Sequence, residues 1–373
     1  MPRHDAGEAH MREETEYHVN IKNYNGVDLA KFVCAILVVA MHVAPFGSDD
    51  SGISSLLNYG VRQWFARIAV PFFFVASGFF LYRKSGYDGF SVEATKKYVF
   101  KLLRLYIIWT ILYFPLKAEV VFHHKRGVVH GVLAYIRNFI FTGSFTQLWY
   151  LPATIFAVIA VSFLLSKKVG INAILMIAAL FYALGLLAQS WFGLITPLRT
   201  LAPSLWAFLK SAQKVIVTTR DGLFEGFLFV AMGAAAAYKG LRITRKRALT
   251  GLVISYILML FEVVFVTRLG ILRSNDTYIF LVPLTYFAFG LAVNLQLPDK
   301  EIYRTLRLLS SLIFYIHLWV CWLIQEIFSA FGRDIGRTCL LFILTAAISI
   351  IASLIIVKLS DVKHFNWLKK LYS

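Results

Sequence analysis

Between Gly26 and Pro45 the chain reads GVDLAKFVCAILVVAMHVAP, an apolar run broken by three side chains that can do chemistry: Asp28, Lys31 and His42. An ionisable group inside a membrane span costs roughly 2.5–3.5 kcal/mol on insertion scales, so each marks a candidate site. Lys31 and His42 are eleven residues apart, which places them on one helical face about 16 Å apart along the axis. Asp28 stands one turn before Lys31, at the i,i+3 spacing that permits an ion pair. A histidine titrates near neutral pH and suits proton abstraction from a hydroxyl. A structural account competes. Asp28 and Lys31 can form an interfacial pair with Lys31 snorkelling to water, and His42 can sit in the opposite headgroup layer.

Other segments add candidates. KLLRLYIIWTILYFP (101–115) carries Lys101 and Arg104 at its start, positioned for phosphate contact or for anchoring by snorkelling. QLWYLPATIFA (147–157) places Trp149 at a span end, where aromatic residues form interfacial belts. TTRDGLFEGFLFVAMG (218–233) puts Arg220, Asp221 and Glu225 at a helix start, where acidic residues complement the dipole. Glu262 in YILMLFEVVFV (256–266) is a lone carboxylate in an apolar span. It is expected to face the bundle interior, pairing with His or Arg or lining a cavity. His317 in FYIHLWV (314–320) reads first as a satisfied structural histidine and second as a catalytic one. Ser77 in ARIAVPFFFVASGFFL (66–81) is expected to hydrogen-bond between helices. His123, His124 and His130 lack a partner at metal-ligand spacing and read as a solvated loop. No P-loop, dinucleotide fingerprint, G-x-S-x-G or H-E-x-x-H occurs, which removes the corresponding NTPase, dehydrogenase, hydrolase and zinc-protease classes.

The elements that must position these groups follow from composition. Of 373 residues, 59% are hydrophobic and 16% charged, and mean hydropathy is +0.68. That combination predicts an all-α polytopic transmembrane bundle. We read about ten spans, near 27–45, 65–83, 100–122, 148–166, 171–191, 223–239, 248–268, 277–295, 310–328 and 338–357. A polar tail (1–22), a membrane domain (23–358) and a basic tail (359–373) complete the chain. No cleavable signal peptide is evident in the polar head, so the first span is expected to act as its own signal. The net charge of +18 invites a nucleic-acid reading. The basic residues fall between spans, however, where membrane topology accounts for them. YKGLRITRKR (238–247) is the most basic connection and is expected inside, which puts both termini in the cytoplasm of a plasma (inner) membrane protein. Two long outer segments remain, 117–147 and 192–222, the first containing a weakly apolar piece, GVLAYIRNFIF (131–141), that suits a re-entrant or interfacial helix. Cys34, Cys321 and Cys339 all fall in apolar spans and give no disulfide or zinc pattern.

VDLAKFVCAILVVAMH resembles the opening of the acyltransferase 3 family of integral membrane acyltransferases. That opening carries an arginine, ten residues, then a histidine; here Lys31 stands in the arginine's place, which keeps the charge and loses the planar fork. PFFFVASGFFL, the basic entry at Arg104, the aromatic start at Trp149 and the FYIHLWV segment are similar to family features. The branch resembled includes the membrane domain of serine racemases linked to vancomycin resistance. The resemblance implies acyl transfer, acetyl being the expected group, from cytoplasmic acyl-CoA to a hydroxyl of a surface glycan or related acceptor at the outer face. On that reading His42, Lys31 and Asp28 are the catalytic candidates. Lys31, Arg104 and Lys101 hold the donor, and Trp149, Glu262, His317 and Arg220 face the acceptor. Acyl-CoA is the donor substrate, and no metal or nucleic acid is expected. The bilayer is a partner, and self-association is left open. The alternative is a transporter of small amino-acid-like molecules, as the racemase-linked relatives suggest.

Overall fold

A computed structural model describes residues 23–47, 52–83, 90–216, 218–241 and 243–373. The polar head expected at 1–22 lies outside the described residues, as do Lys84 and Arg242. The rest is helical, and no strand occurs among the described residues. This follows from the apolar sequence, because a helix satisfies its own backbone groups where water is absent.

The first helix, α1, is Asn25–Val43. The next span begins as α2, Ile53–Gly60, passes through a π-helical turn at Val61–Phe65 and a 3-10 turn at Ala66–Ile68, and continues as α3, Ala69–Arg83. Helix α4, Val92–Tyr113, is capped by the Ser91 side chain, which accepts from the Ala94 N–H. Pro115 then opens α5, Pro115–Phe122, which bends 69° away from α4. Helix α6, Val128–Phe141, packs back on α4 through the stacked rings of Tyr106 and Phe139. The expected interfacial piece (131–141) falls within α6.

There follow α7, Tyr150–Ser166, and α8, Ile171–Ala188. A connecting region holds α9, Pro203–Ile216. A second π-helical turn, Gly222–Gly226, leads into α10, Phe227–Lys239. The last four are α11, Arg245–Arg268; α12, Leu281–Asn294; α13, Glu301–Ala330; and α14, Cys339–Ser360.

Each of the expected spans overlaps these helices, but 100–122 is broken into α4 and α5 at the 69° bend. Among the described residues six helical stretches are by themselves long and apolar enough to cross a membrane, and the bent α4–α5 pair makes up to seven. Helices α7 and α12 are shorter apolar helices. The chain is thus a multi-pass helical membrane protein. The expected basic tail is built into the bundle: a 3-10 helix at Lys363–Leu371 docks on α4, where Trp109 Nε1 donates to the Leu371 carbonyl.

The bundle centre is α3, buried along nearly its whole length against α10. The two backbones touch at Gly78 and Gly233. A Cβ on Gly78 would collide with the Val230 carbonyl, and one on Gly233 with that of Val75. Small residues allow this approach, the usual way helices associate in lipid. Helix α1 packs against α13, α3, α12 and α14.

Candidate functional site

Helices α1 and α13 are joined at two levels, and both levels involve residues singled out by the sequence. At the Lys31 level, Asp28 is only 2% exposed and takes a forked contact from Arg307 on α13. Arg307 Nε lies 3.0 Å from both carboxylate oxygens, and its terminal nitrogen lies 2.8 Å from one. This corrects the expected Asp28–Lys31 pair. Arg307 offers the planar fork that an ammonium lacks, and that fork matches a carboxylate. Lys31 is half-buried and has no ion pair among the described residues. Its charged neighbours are Asp28, Arg307 and Lys101. Three cations and one carboxylate therefore share this end of the seam.

Toward the other end, the ring of His42 stacks on that of His317, with centroids 5.3 Å apart and planes 29° apart. His317 is fully buried. Its Nδ1 lies 3.0 Å from the Ile313 carbonyl one turn back. A carbonyl only accepts, so Nδ1 carries the proton and Nε2 the lone pair. That Nε2 is buried and has no hydrogen-bond partner.

His42 forms part of the wall of a cavity of about 590 Å3. Glu119 from α5, Gln325 and Glu326 from α13, and Arg337 from the α13–α14 connection also line it. Glu119, Glu326 and Arg337 share one cavity yet form no ion pair with each other among the described residues.

Between the two levels lies a hydroxyl cluster. Ser77 Oγ and the Tyr150 hydroxyl are 2.9 Å apart. Tyr98 approaches the same Ser77, and Tyr315 neighbours Tyr150 and Tyr98. Ser77 thus bridges helices as its sequence context indicates.

Arg220 and Trp149 come together as a cation–π pair, with the guanidinium 4.9 Å from the ring centroid. Arg220 also reaches Asp276 at 3.4 Å, and Arg67 holds the same carboxylate at 3.1 Å. Burial alone would push the Asp276 carboxyl up, but the Arg67 and Arg220 guanidinium groups outweigh it and hold it below its ordinary range. His42 lies within the field of Arg220 and Arg62. Asp221 behaves as its position suggests, its side chain accepting from the Leu223 and Phe224 N–H groups at 2.9 and 3.0 Å. Glu225 also sits at the helix start, in the first turn of the π-helical segment, and is buried there.

Two candidates fall outside this seam. Glu262 accepts from Trp191 Nε1 at 2.7 Å and from the Ile279 and Phe280 N–H groups at 2.8 and 2.9 Å. It caps the start of α12 and lines no described cavity, so the expectation of a His or Arg partner is corrected. Arg104 is exposed and donates to the Ser373 backbone oxygen. The expected cluster of Arg104 with Lys31 is therefore replaced by Lys31 with Lys101 and Arg307.

Sequence reasoning missed Arg307, Arg67 and Asp276 as site-forming residues. Arg307 and His317 are ten residues apart on one helix, nearly the separation of Lys31 and His42. That echo is a signal the sequence carries. Among the described residues, no three His, Cys, Asp or Glu side chains are grouped to hold a metal ion.

The fold and this seam define a polytopic membrane protein with a basic end, a hydroxyl-lined middle and a paired-imidazole end. The family model described as an acyltransferase domain matches residues 24–357, so the chain belongs to the acyltransferase 3 family. It is 29% identical over 339 residues to an amino-acid racemase from Enterococcus faecalis, covering 90% of this chain and 46% of the relative. It is 26% identical over 275 residues to a serine/alanine racemase from Enterococcus gallinarum, covering 72% of this chain and 37% of that relative. The chain spans less than half the length of these curated relatives. No solved structure matches it.

Proposed function

We propose that this protein is a membrane O-acyltransferase that moves an acyl group, acetyl in the first instance, from cytoplasmic acyl-CoA to a hydroxyl of a cell-surface glycan or related acceptor. The observation that carries the reading is the placement of His42 on the wall of a cavity of about 590 Å3, on the same helix as Lys31 at the opposite level of the seam. Membership of the acyltransferase 3 family supports acyl transfer as the reaction class. Positive-inside placement of the cations supports a cytoplasmic Lys31 end and a His42 cavity at the outer face of the plasma membrane.

On this reading Lys31, Lys101 and Arg307 draw the phosphates of the donor to the cytoplasmic end. The acceptor hydroxyl enters the outer cavity and hydrogen-bonds to His42. His42 takes the hydroxyl proton as the oxygen attacks the thioester carbonyl; the new C–O bond forms and the C–S bond breaks. Asp28 acts through Arg307, fixing α13 against α1 so that the donor end and the imidazole end stay in register. Arg104, exposed near Lys101 on α4, adds a further cation for the donor's phosphates.

The test is transfer of radiolabelled acetyl from acetyl-CoA to glycan in membranes carrying the protein. His42→Ala is expected to lower transfer at least about 100-fold, the usual contribution of a general base. Transfer at the wild-type rate by His42→Ala would remove the mechanism at its centre.

A further inference from the structure

Proposed acyl transfer leaves one proton unaccounted for. The acceptor loses it on the cavity side, and the departing thiolate needs it on the donor side. His42 is on the cavity wall. His317 is not: it lies behind His42, fully buried, in ring contact with it at 5.3 Å. The next turn of α13 toward the Lys31 end carries Phe314 and Tyr315, which pack on the Tyr150–Ser77 hydroxyl cluster.

The tautomer of His317 is fixed. Nδ1–H is committed to the Ile313 carbonyl at 3.0 Å, so Nε2 keeps a lone pair, and no described group uses it. A buried acceptor left without a partner is costly, and in native proteins such an exception calls for a role. His42 lies within the field of Arg220 and Arg62, and Glu119, Glu326 and Arg337 share its cavity.

We infer that His317 is the donor-side proton carrier of a two-imidazole relay, a proposal that rests on the acyl-transfer reading. His42 takes the proton from the acceptor hydroxyl. Rotation of the protonated His42 ring out of the stack brings its N–H onto Nε2 of His317, which takes the proton and delivers it to the sulfur as the C–S bond breaks. The O–H and C–S bonds break, the C–O and S–H bonds form, and both histidines return to neutral. The relay consumes no further reactant.

The test varies the leaving group. Purified protein in nanodiscs is assayed with acetyl-CoA and with S-(4-nitrophenyl) thioacetate, whose aryl thiolate leaves without a proton. N-acetylglucosamine is the probe acceptor, and hydrolysis by water is read in parallel. His317→Phe keeps a flat ring against His42 and removes both nitrogens. With acetyl-CoA it is expected to lower kcat about 100-fold or more, the scale of a lost acid–base group. With the aryl thioester the deficit is expected to shrink to about threefold, while His42→Phe stays inactive with both donors. His317→Asn, which keeps hydrogen-bonding capacity, is expected to follow His317→Phe, and thermal melting of each variant reports whether it folds. An equal deficit with both donors, or wild-type kcat with acetyl-CoA in either His317 variant, overturns the relay and leaves the acyl-transfer reading standing. No turnover by wild type with either donor overturns both.

Discussion

Asp28 is buried at 2% exposure and takes its one ion pair among the described residues, a forked contact, from Arg307 on α13. Asp28 is buried while the Arg307 side chain is 47% exposed, so solvent screens part of the pair. Arg307→Ala is therefore expected to destabilise the protein by about 1–2 kcal/mol, and Arg307→Ala with Asp28→Asn by less, since the orphan charge is gone. Melting temperatures in detergent for the two single variants and the double variant check this. Additive losses would deny the coupling. Asp276 gives a pH-dependent counterpart. Its carboxyl is held below the ordinary range once folded, despite burial, by Arg67 and Arg220. That stability is present above the unfolded value of about 4 and is lost as pH falls through the lower folded value. The wild type is expected to lose stability below about pH 4, and Asp276→Asn to be weaker at neutral pH and flatter through that acid window. Equal acid sensitivity in the two proteins contradicts the assignment. Residue types on single spans were legible in the sequence; their partners were not. Asp28 and Arg307 are 279 positions apart, and nothing local in VDLAK distinguishes a partner three residues on from one on another helix.

At the scale of elements, the decisive contact is the crossing of α3 and α10 at Gly78 and Gly233. A side chain at either position meets backbone, which cannot swing aside. Gly78→Leu and Gly233→Leu are each expected to prevent a stable fold, seen as loss of the monodisperse peak in detergent, whereas Gly240→Ala next to open space at φ +71 costs only backbone strain. A normal, monodisperse Gly233→Leu protein would show that the crossing is looser than described. The positions of the helices could be read from the runs of apolar residues. The π-helical turns at Val61–Phe65 and Gly222–Gly226 could not, because they arise from tertiary demands at the bundle end rather than from propensity. Glu262 shows the same limit: a carboxylate in an apolar run looks functional, and only the fold reveals that it caps α12.

At the scale of the whole molecule, the arrangement is a seam between α1 and its neighbours with cations at one end and two imidazoles at the other. Its chemistry follows from that separation. On the proposed acyl-transfer reading, the donor's charged portion and the acceptor stay on opposite sides while the reacting atoms meet between them. The central claim is that the cationic end holds an acyl-CoA. The most direct measurement is equilibrium binding of acetyl-CoA to purified protein in nanodiscs, wild type against Lys31→Ala. The account predicts saturable binding by the wild type, weakened about tenfold or more in the variant, as expected when a charged phosphate contact is lost. No binding by a folded wild-type protein, together with flux of a small amino-acid-like solute across proteoliposomes, would contradict it and make the seam a permeation path.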